Sequence, residues 1–448
     1  MTSDRRAPWD PDRRWADPLI ALLALLAMLA VGFTLRVRTS ALRRPAERAS
    51  LQGRMLEAVL AGPHLLTGAK IAPKAWTQAQ HQLKEPWDRA LLAVLMAELG
   101  EADQSDQARR LAAAPTGEAA KPFQGAFAAA YGTGPLPDRA SREGIRRRMG
   151  SGYAAALLEA RLLDREAPGT GAALRAEARS ALLTRLGGLG ALGLMVFLLG
   201  AGGLAMGLYL WSVRKQPPAR PLPAWELSDR AAILILLVWF LAFFVAGNLA
   251  ALLLLPWPSL RWAAVPLGTL LHAGVGVRLL CAAEGLRFRE LWQRVAPGPV
   301  LKNLGWAAAF LALAVTLVLA VTLLSAPILK PDQNPQRDLQ ELLRGLSGWG
   351  PALTMFAVVA GLAPLFEELL FRGFLLPVLA RRGRVGMALL VSALVFGAIH
   401  LQPTGLPTLA TLGLVLGLAL RHTGSLWPPI LVHACWNGGI FLLMRALA

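Results

Sequence analysis

Hydrophobic positions in this chain are gathered into nine apolar segments, at about 18–35, 187–211, 231–256, 263–282, 304–328, 350–376, 385–402, 405–421 and 426–446. A helix needs roughly 20 apolar residues to cross a bilayer core, and several of these runs reach that length. The pattern predicts an all-α fold, a polytopic transmembrane helical bundle of about nine spans. The sixth run is the least regular, because Pro364 interrupts it and Glu367, Glu368 and Arg372 follow. Proline is tolerated in a membrane helix where neighbours satisfy the carbonyl it leaves without a donor.

Between the first two runs the pattern changes. Residues 36–186 are polar overall and rich in Ala, Leu and Arg, with helical periodicity in Ala90–Met96 and Tyr153–Leu163. Breakers at Gly100, Pro115, Pro135 and Pro168 predict short antiparallel helices in an inserted extramembrane section. Paired helices of this kind are slightly like a tetratricopeptide array, but no signature repeat stands out. The structural expectation is a small helical bundle or spacer; the functional one is a module that docks a protein partner or a substrate. The chain thus divides into a tail with the first span (1–35), the helical section (36–186), a second span with a stiff linker containing Pro217, Pro218, Pro221 and Pro223 (187–229), and seven further spans (230–448). Lys330–Leu343 is predicted as a short amphipathic helix at the outer surface.

Basic residues then orient the spans. Arg5, Arg6, Arg13 and Arg14 precede the first run; Arg214, Lys215, Arg220 and Arg230, then Arg287, Arg289, Arg294 and Lys302, then Arg381, Arg382 and Arg384 fall in alternate loops. The intervening loops are poorer, with Arg261 alone in one, none in 402–407, and Lys330, Arg337 and Arg344 offset by Asp332, Asp338 and Glu341 in another. The excess of Lys and Arg in cytoplasmic loops predicts the N-terminus inside and the C-terminus outside. Arg36, Arg38, Arg43 and Arg44, on the outer side of the first span, run against that assignment.

Composition adds exclusions. Charged residues make up 17% of the chain, below the quarter typical of soluble domains. The net charge of +18 does not indicate nucleic acid, because the arginines flank apolar runs where they anchor to lipid headgroups. Cys281 and Cys435 lie in or beside apolar runs and form neither a disulfide framework nor a cysteine zinc site. The first run resembles an uncleaved signal anchor. The preference for Arg over Lys, with many Ala, Leu and Gly, suggests a GC-rich bacterial genome, hence a bacterial inner membrane with 36–186 periplasmic.

Ionisable groups inside membrane helices are costly and mark functional sites. Three clusters stand out in the last third. In Glu367-Glu368-Leu369-Leu370-Phe371-Arg372, Glu368 and Arg372 are four apart and share a helix face. Glu367 is rotated from Glu368 by about 100° and cannot share that pairing equally. Glu368–Arg372 is therefore expected to be a structural ion pair, with Glu367 left less compensated and suited to be a general base. Phe396 and His400 share a face in the seventh run, and His433 and Asn437 share one in the ninth. His272, alone in the fourth run, is expected only to contact a neighbouring helix. Two acids, two imidazoles, an amide and a guanidinium on three late helices point to catalysis. A packing lock in a membrane scaffold and a proton-coupled transporter are the alternatives; the second lacks an inverted repeat.

These residues resemble the CPBP family of intramembrane proteases. The order E-E-x-x-x-R (Glu367, Glu368, Arg372), F-x-x-x-H (Phe396, His400) and H-x-x-x-N (His433, Asn437) is similar to that family's three motifs. The family includes type II CAAX prenyl endopeptidases and bacterial members, some linked to bacteriocin self-immunity. The likeness covers roughly 230–448 and is silent on 36–186. It implies a helical bundle around a water-accessible cavity and hydrolysis of peptide bonds in membrane-associated substrates by an activated water. Carried onto this sequence, Glu367 is the base assisted by His400, His433 and Asn437 stabilise the oxyanion, and Arg372 holds Glu368, with Phe396 orienting. A non-proteolytic immunity-type scaffold is the alternative use of the same bundle. Zinc stays open: there is no H-E-x-x-H, yet Glu367, His400 and His433 are three ligand types that leave an open position. Asn437 fits an oxyanion donor better than a zinc ligand.

Overall fold

The computed structural model describes residues 16–42, 51–83, 85–101, 104–113, 120–150, 152–216, 221–254, 256–325, 348–381 and 383–447. Several sequence expectations lie outside these residues: those on Arg5, Arg6, Arg13, Arg14, Arg43, Arg44, Pro115, Pro217, Pro218, Arg220 and Arg382, and on the helix at Lys330–Leu343 with the charges around it. The described residues form seventeen helices and no strand. The chain divides into two compact units, Ala41–Met195 and a second made of Met1–Ser40 with Val196–Ala446.

In the first unit, α2 (Leu51–Thr67), α3 (Pro73–Gln82), α4 (Pro86–Leu99), α5 (Ser105–Ala112), α6 (Lys121–Tyr131), α7 (Arg139–Met149) and α8 (Tyr153–Glu166) precede the first part of α9 (Ala172–Ser212). Proline opens α3, α4 and α6 within the first two positions, where its missing N–H costs nothing. Gly100 ends α4, and Pro135 and Pro168 lie in the connections they predicted. Helix α4 is central: Trp87, Ala90–Met96 and Asp88 are all buried, and α2, α3, α5, α7 and α8 pack on it. That shared core makes a bundle rather than a solenoid, whose repeats touch only their neighbours. The buried Glu57 carboxylate accepts the backbone N–H of Ala154 and so caps α8. A Cβ at Gly152 would lie 2.6 Å from that carboxylate.

The second unit contains α1 (Ala16–Leu42), the remainder of α9, α10 (Asp229–Leu253), α11 (Ala264–Glu284), α12 (Phe288–Val295), α13 (Val300–Ser325), α14 (Trp349–Ala380), α15 (Val385–Ala398), α16 (Leu406–Thr423) and α17 (Trp427–Leu447). Each of the nine apolar segments contains a helix among its described residues. Among the described residues, six helices are long and apolar enough to cross a membrane: α9, α10, α11, α13, α14 and Pro403–Thr423. Of the other three, α15 has 14 residues. No break separates the polar section from the second span, because α9 runs continuously from Ala172.

Small residues let helices approach closely where no hydrophobic force separates helix from lipid. A Cβ on Gly203 of α9 would lie 2.4 Å from Ala312 O of α13, and one on Gly268 of α11 would lie 3.0 Å from Gly247 Cα of α10. His272 packs on the rings of Trp239 and Phe243. The predicted inner loops meet at one end of the unit: Asp17 pairs with Arg230 at 3.1 Å, Glu284 with Arg294 at 2.7 Å, and Asp229 with Arg381 at 3.3 Å.

Candidate active site

Helix α14 carries the acidic motif, and it is not a regular α-helix. Val358–Leu362 and Leu369–Leu375 are π-helical turns on either side of the α-helical Ala363–Glu368. Single wide turns of this kind collect at functional sites. Pro364 accounts for part of the first: Ala363 N–H reaches back five residues to Val358 O, and the next residue has no N–H for Val359 O. The amide of Asn437, on α17, donates to that carbonyl at 3.1 Å. Gly438 permits the approach, since a Cβ there would already lie 3.2 Å from Ala360 Cβ.

Glu368 and Arg372 are both fully buried and pair at 2.9 Å, four residues apart as their spacing required. Arg372 also donates to Gly413 O of α16 at 2.8 Å, and its guanidinium lies 4.5 Å from the centre of the Phe396 ring. The brace extends further. Nδ1 of the buried His433 lies 2.8 Å from Glu368 Oε1, the same oxygen that Arg372 holds. A carboxylate beside a ring nitrogen fixes the tautomer and the orientation of an imidazole. The other ring nitrogen, Nε2, faces Glu367 Oε2 at 3.8 Å, longer than a direct hydrogen bond. Glu367 keeps 26% of its side chain exposed, and its Oε2 is buried without a hydrogen-bond partner among the described residues.

His400 reaches this region because α15 is short. Its 14 residues rise about 21 Å, less than the roughly 30 Å of a hydrocarbon core. The chain turns at that depth, with Leu401 at a φ of 52°, a left-handed conformation seldom adopted by a branched side chain. Such strain is characteristic of functional positions. His400 Nδ1 lies 2.7 Å from Phe396 O; a carbonyl only accepts, so Nδ1 carries the proton and a neutral ring keeps its lone pair on Nε2. The Phe396 ring lies edge-on to both imidazoles, 5.0 Å from His400 and 5.5 Å from His433. Thus α14, α15 and α17 bring Glu367, Glu368, Arg372, Phe396, His400 and His433 together, and Asn437 joins through Val359. Among the described residues no three His, Cys, Asp or Glu side chains converge to hold a metal ion.

A family model described as type II CAAX prenyl endopeptidase Rce1-like matches residues 349–439. An Escherichia coli protein named "Uncharacterized 24.3 kDa protein" is 35% identical over 170 residues, 36% of this chain and 74% of that protein. The chain belongs to the Rce1-like family. No solved structure matches it. Membership makes this Rce1-like chain a membrane protease of the CAAX type in general terms. Three participants in the Rce1-like site were not singled out from sequence: Gly413 and Val359, which act through backbone carbonyls, and Trp225, taken up below. Pro364 signalled an unpartnered carbonyl in α14, but not which side chain would supply the donor.

Proposed function

We propose that this protein is an intramembrane endopeptidase that hydrolyses peptide bonds of membrane-associated substrates through a water activated by Glu367 and His400. The observation that carries the reading is the contrast between the two adjacent glutamates. Glu368 is spent on Arg372 and His433, whereas Glu367 presents an unpartnered oxygen beside the carboxylate-oriented imidazole. Glu367 takes a proton from the water while His400 Nε2, holding a lone pair, accepts from its other O–H. The water oxygen bonds to the scissile carbonyl carbon, and the carbonyl oxygen becomes the oxyanion. His433, through Nε2, and the Asn437 amide N–H not used by Val359 stabilise it. Donors pre-aimed at developing charge in a dry site supply a large part of such catalysis. Collapse breaks the C–N bond, and Glu367 returns its proton to the leaving amine.

The protein sits in the bacterial inner membrane with its N-terminus inside, and 36–186 is a periplasmic helical section. The gathering of Asp17, Arg230, Asp229, Arg381, Glu284 and Arg294 at one end supports the alternation of loops on which this topology rests. Quantitative proteomics of membrane-protein fragments, in cells expressing wild type or Glu367→Ala, tests the proteolytic reading. Fragments confined to wild-type cells are expected; identical fragment sets would leave an immunity-type scaffold as the better reading. Purified wild type is expected to keep its activity after chelation and metal removal, and a loss reversed by zinc would overturn the metal-free mechanism.

A further inference from the structure

The second π-helical turn of α14 has a partner outside the segment matched by the family model. Residues 221–228 have no regular secondary structure and lead into α10. Trp225, in their middle, is 4% exposed. Its indole N–H donates to Gly373 O at 2.8 Å, and its ring stands at 88° to that of the fully buried Phe374, 5.1 Å away. Gly373 is the residue after Arg372. In a regular α-helix its carbonyl would be satisfied by the N–H of residue 377, but that residue is Pro377. Leu376 N–H reaches back five residues to Phe371 O, so the turn is wide here too. Each π-helical turn is followed closely by a proline, Pro364 or Pro377, and one of its carbonyls accepts a side-chain N–H from another element. Asn437 supplies it on the one side of Glu367 and Glu368, and Trp225 on the other.

The linker is fixed in its turn. Arg294 lies 5.6 Å from the Trp225 ring, donates to Ala224 O at 3.3 Å and pairs with Glu284. Glu284 accepts the backbone N–H of Glu226 at 2.9 Å. Arg381, beyond the end of α14, donates to Leu227 O. A buried Trp held on both sides by charged hydrogen bonds is anchored better than hydrophobic packing alone requires.

We propose that Trp225 is a positioning residue for proteolysis: its N–H pins the Leu369–Leu375 turn and thereby sets Arg372, Glu368 and, through Glu368, the ring of His433. This rests on the proteolytic reading above. The test is steady-state cleavage, in proteoliposomes, of an internally quenched peptide spanning a cleavage site found in the fragment comparison. Four proteins are compared: wild type, Trp225→Phe, Glu367→Ala, and a protein with 3-benzothienylalanine at 225, which replaces only the ring N–H by sulfur. Both 225 variants are expected to fold with a small drop in Tm, to keep KM and to lose about fivefold in kcat, which corresponds to about 1 kcal/mol. Hydrogen exchange across 369–377 is expected to accelerate in both. Wild-type kcat in either variant would reduce Trp225 to packing and overturn the proposal. Full activity of Glu367→Ala would instead remove the proteolytic reading, and this inference with it.

Discussion

Oε1 of Glu368 lies 2.8 Å from Nδ1 of His433, and the same oxygen accepts the Arg372 guanidinium at 2.9 Å. Glu368 is therefore the common support of a cation and an imidazole, both buried. Removing one partner from a buried ion pair costs about 3–5 kcal/mol, because the remaining charge is left uncompensated. Glu368→Ala is expected to lower stability by about that amount and to abolish cleavage. Glu367→Ala is expected to abolish cleavage with little change in Tm. Thermal unfolding in detergent separates the two glutamates; equal loss of Tm in both variants would refute the division of labour.

Asn437 donates to Val359 O, which Pro364 leaves without its in-helix partner. Asn437→Ala is expected to cost about 1 kcal/mol, in line with interhelical hydrogen bonds in membranes. Pro364→Ala restores a backbone N–H, so the cost of Asn437→Ala should shrink in that background. A double-mutant cycle on unfolding free energy reads the coupling directly. Strict additivity would mean that the amide is not meeting the carbonyl freed by the proline.

A Cβ on Gly413 would lie 3.1 Å from Ala393 Cα and 3.2 Å from Phe396 Cδ1. Backbone yields less readily than a side-chain tip, so Gly413→Ala should separate α15 from α16 and pull Gly413 O away from Arg372. Overpacking of this kind costs about 1–3 kcal/mol. Unfolding in detergent, read alongside Gly386→Ala, where a Cβ meets nothing within 4 Å, distinguishes crowding from loss of glycine itself. Equal effects at the two positions would count against the close-approach argument.

In the first unit, Asp164 accepts Gly171 N–H at 2.8 Å and the Arg175 guanidinium. The backbone hydrogen bond from Gly171, followed by that from Arg175, holds its carboxyl below the usual aspartate range. A depressed folded pKa contributes stability above the unfolded value of about 3.9 and loses it as pH falls through the folded value. Wild type is therefore expected to lose stability relative to Asp164→Asn as pH is lowered from 5 to 3, measured by bundle unfolding followed by circular dichroism. A difference independent of pH would mean that Asp164 contributes no charge-dependent stability.

What the sequence by itself determined is what depends on short-range spacing. Apolar run length specified the membrane helices, the breakers Gly100, Pro135 and Pro168 placed helix ends, and the four-residue spacing of Glu368 and Arg372 placed both on one helix face. Each follows from the period of a single helix, so no distant residue is needed to read it. Tertiary structure alone decided which element supplies each missing partner. Nothing near Pro364 or Pro377 names Asn437 or Trp225 as donor, because those contacts join residues 78 and 148 positions apart. Likewise, Glu368 orients His433 only because α14 and α17 meet, and Gly413 enters only as a backbone carbonyl that helix packing presents to Arg372. A residue that acts through its backbone, or through a gap left by its missing side chain, has no side-chain chemistry to read from a single sequence.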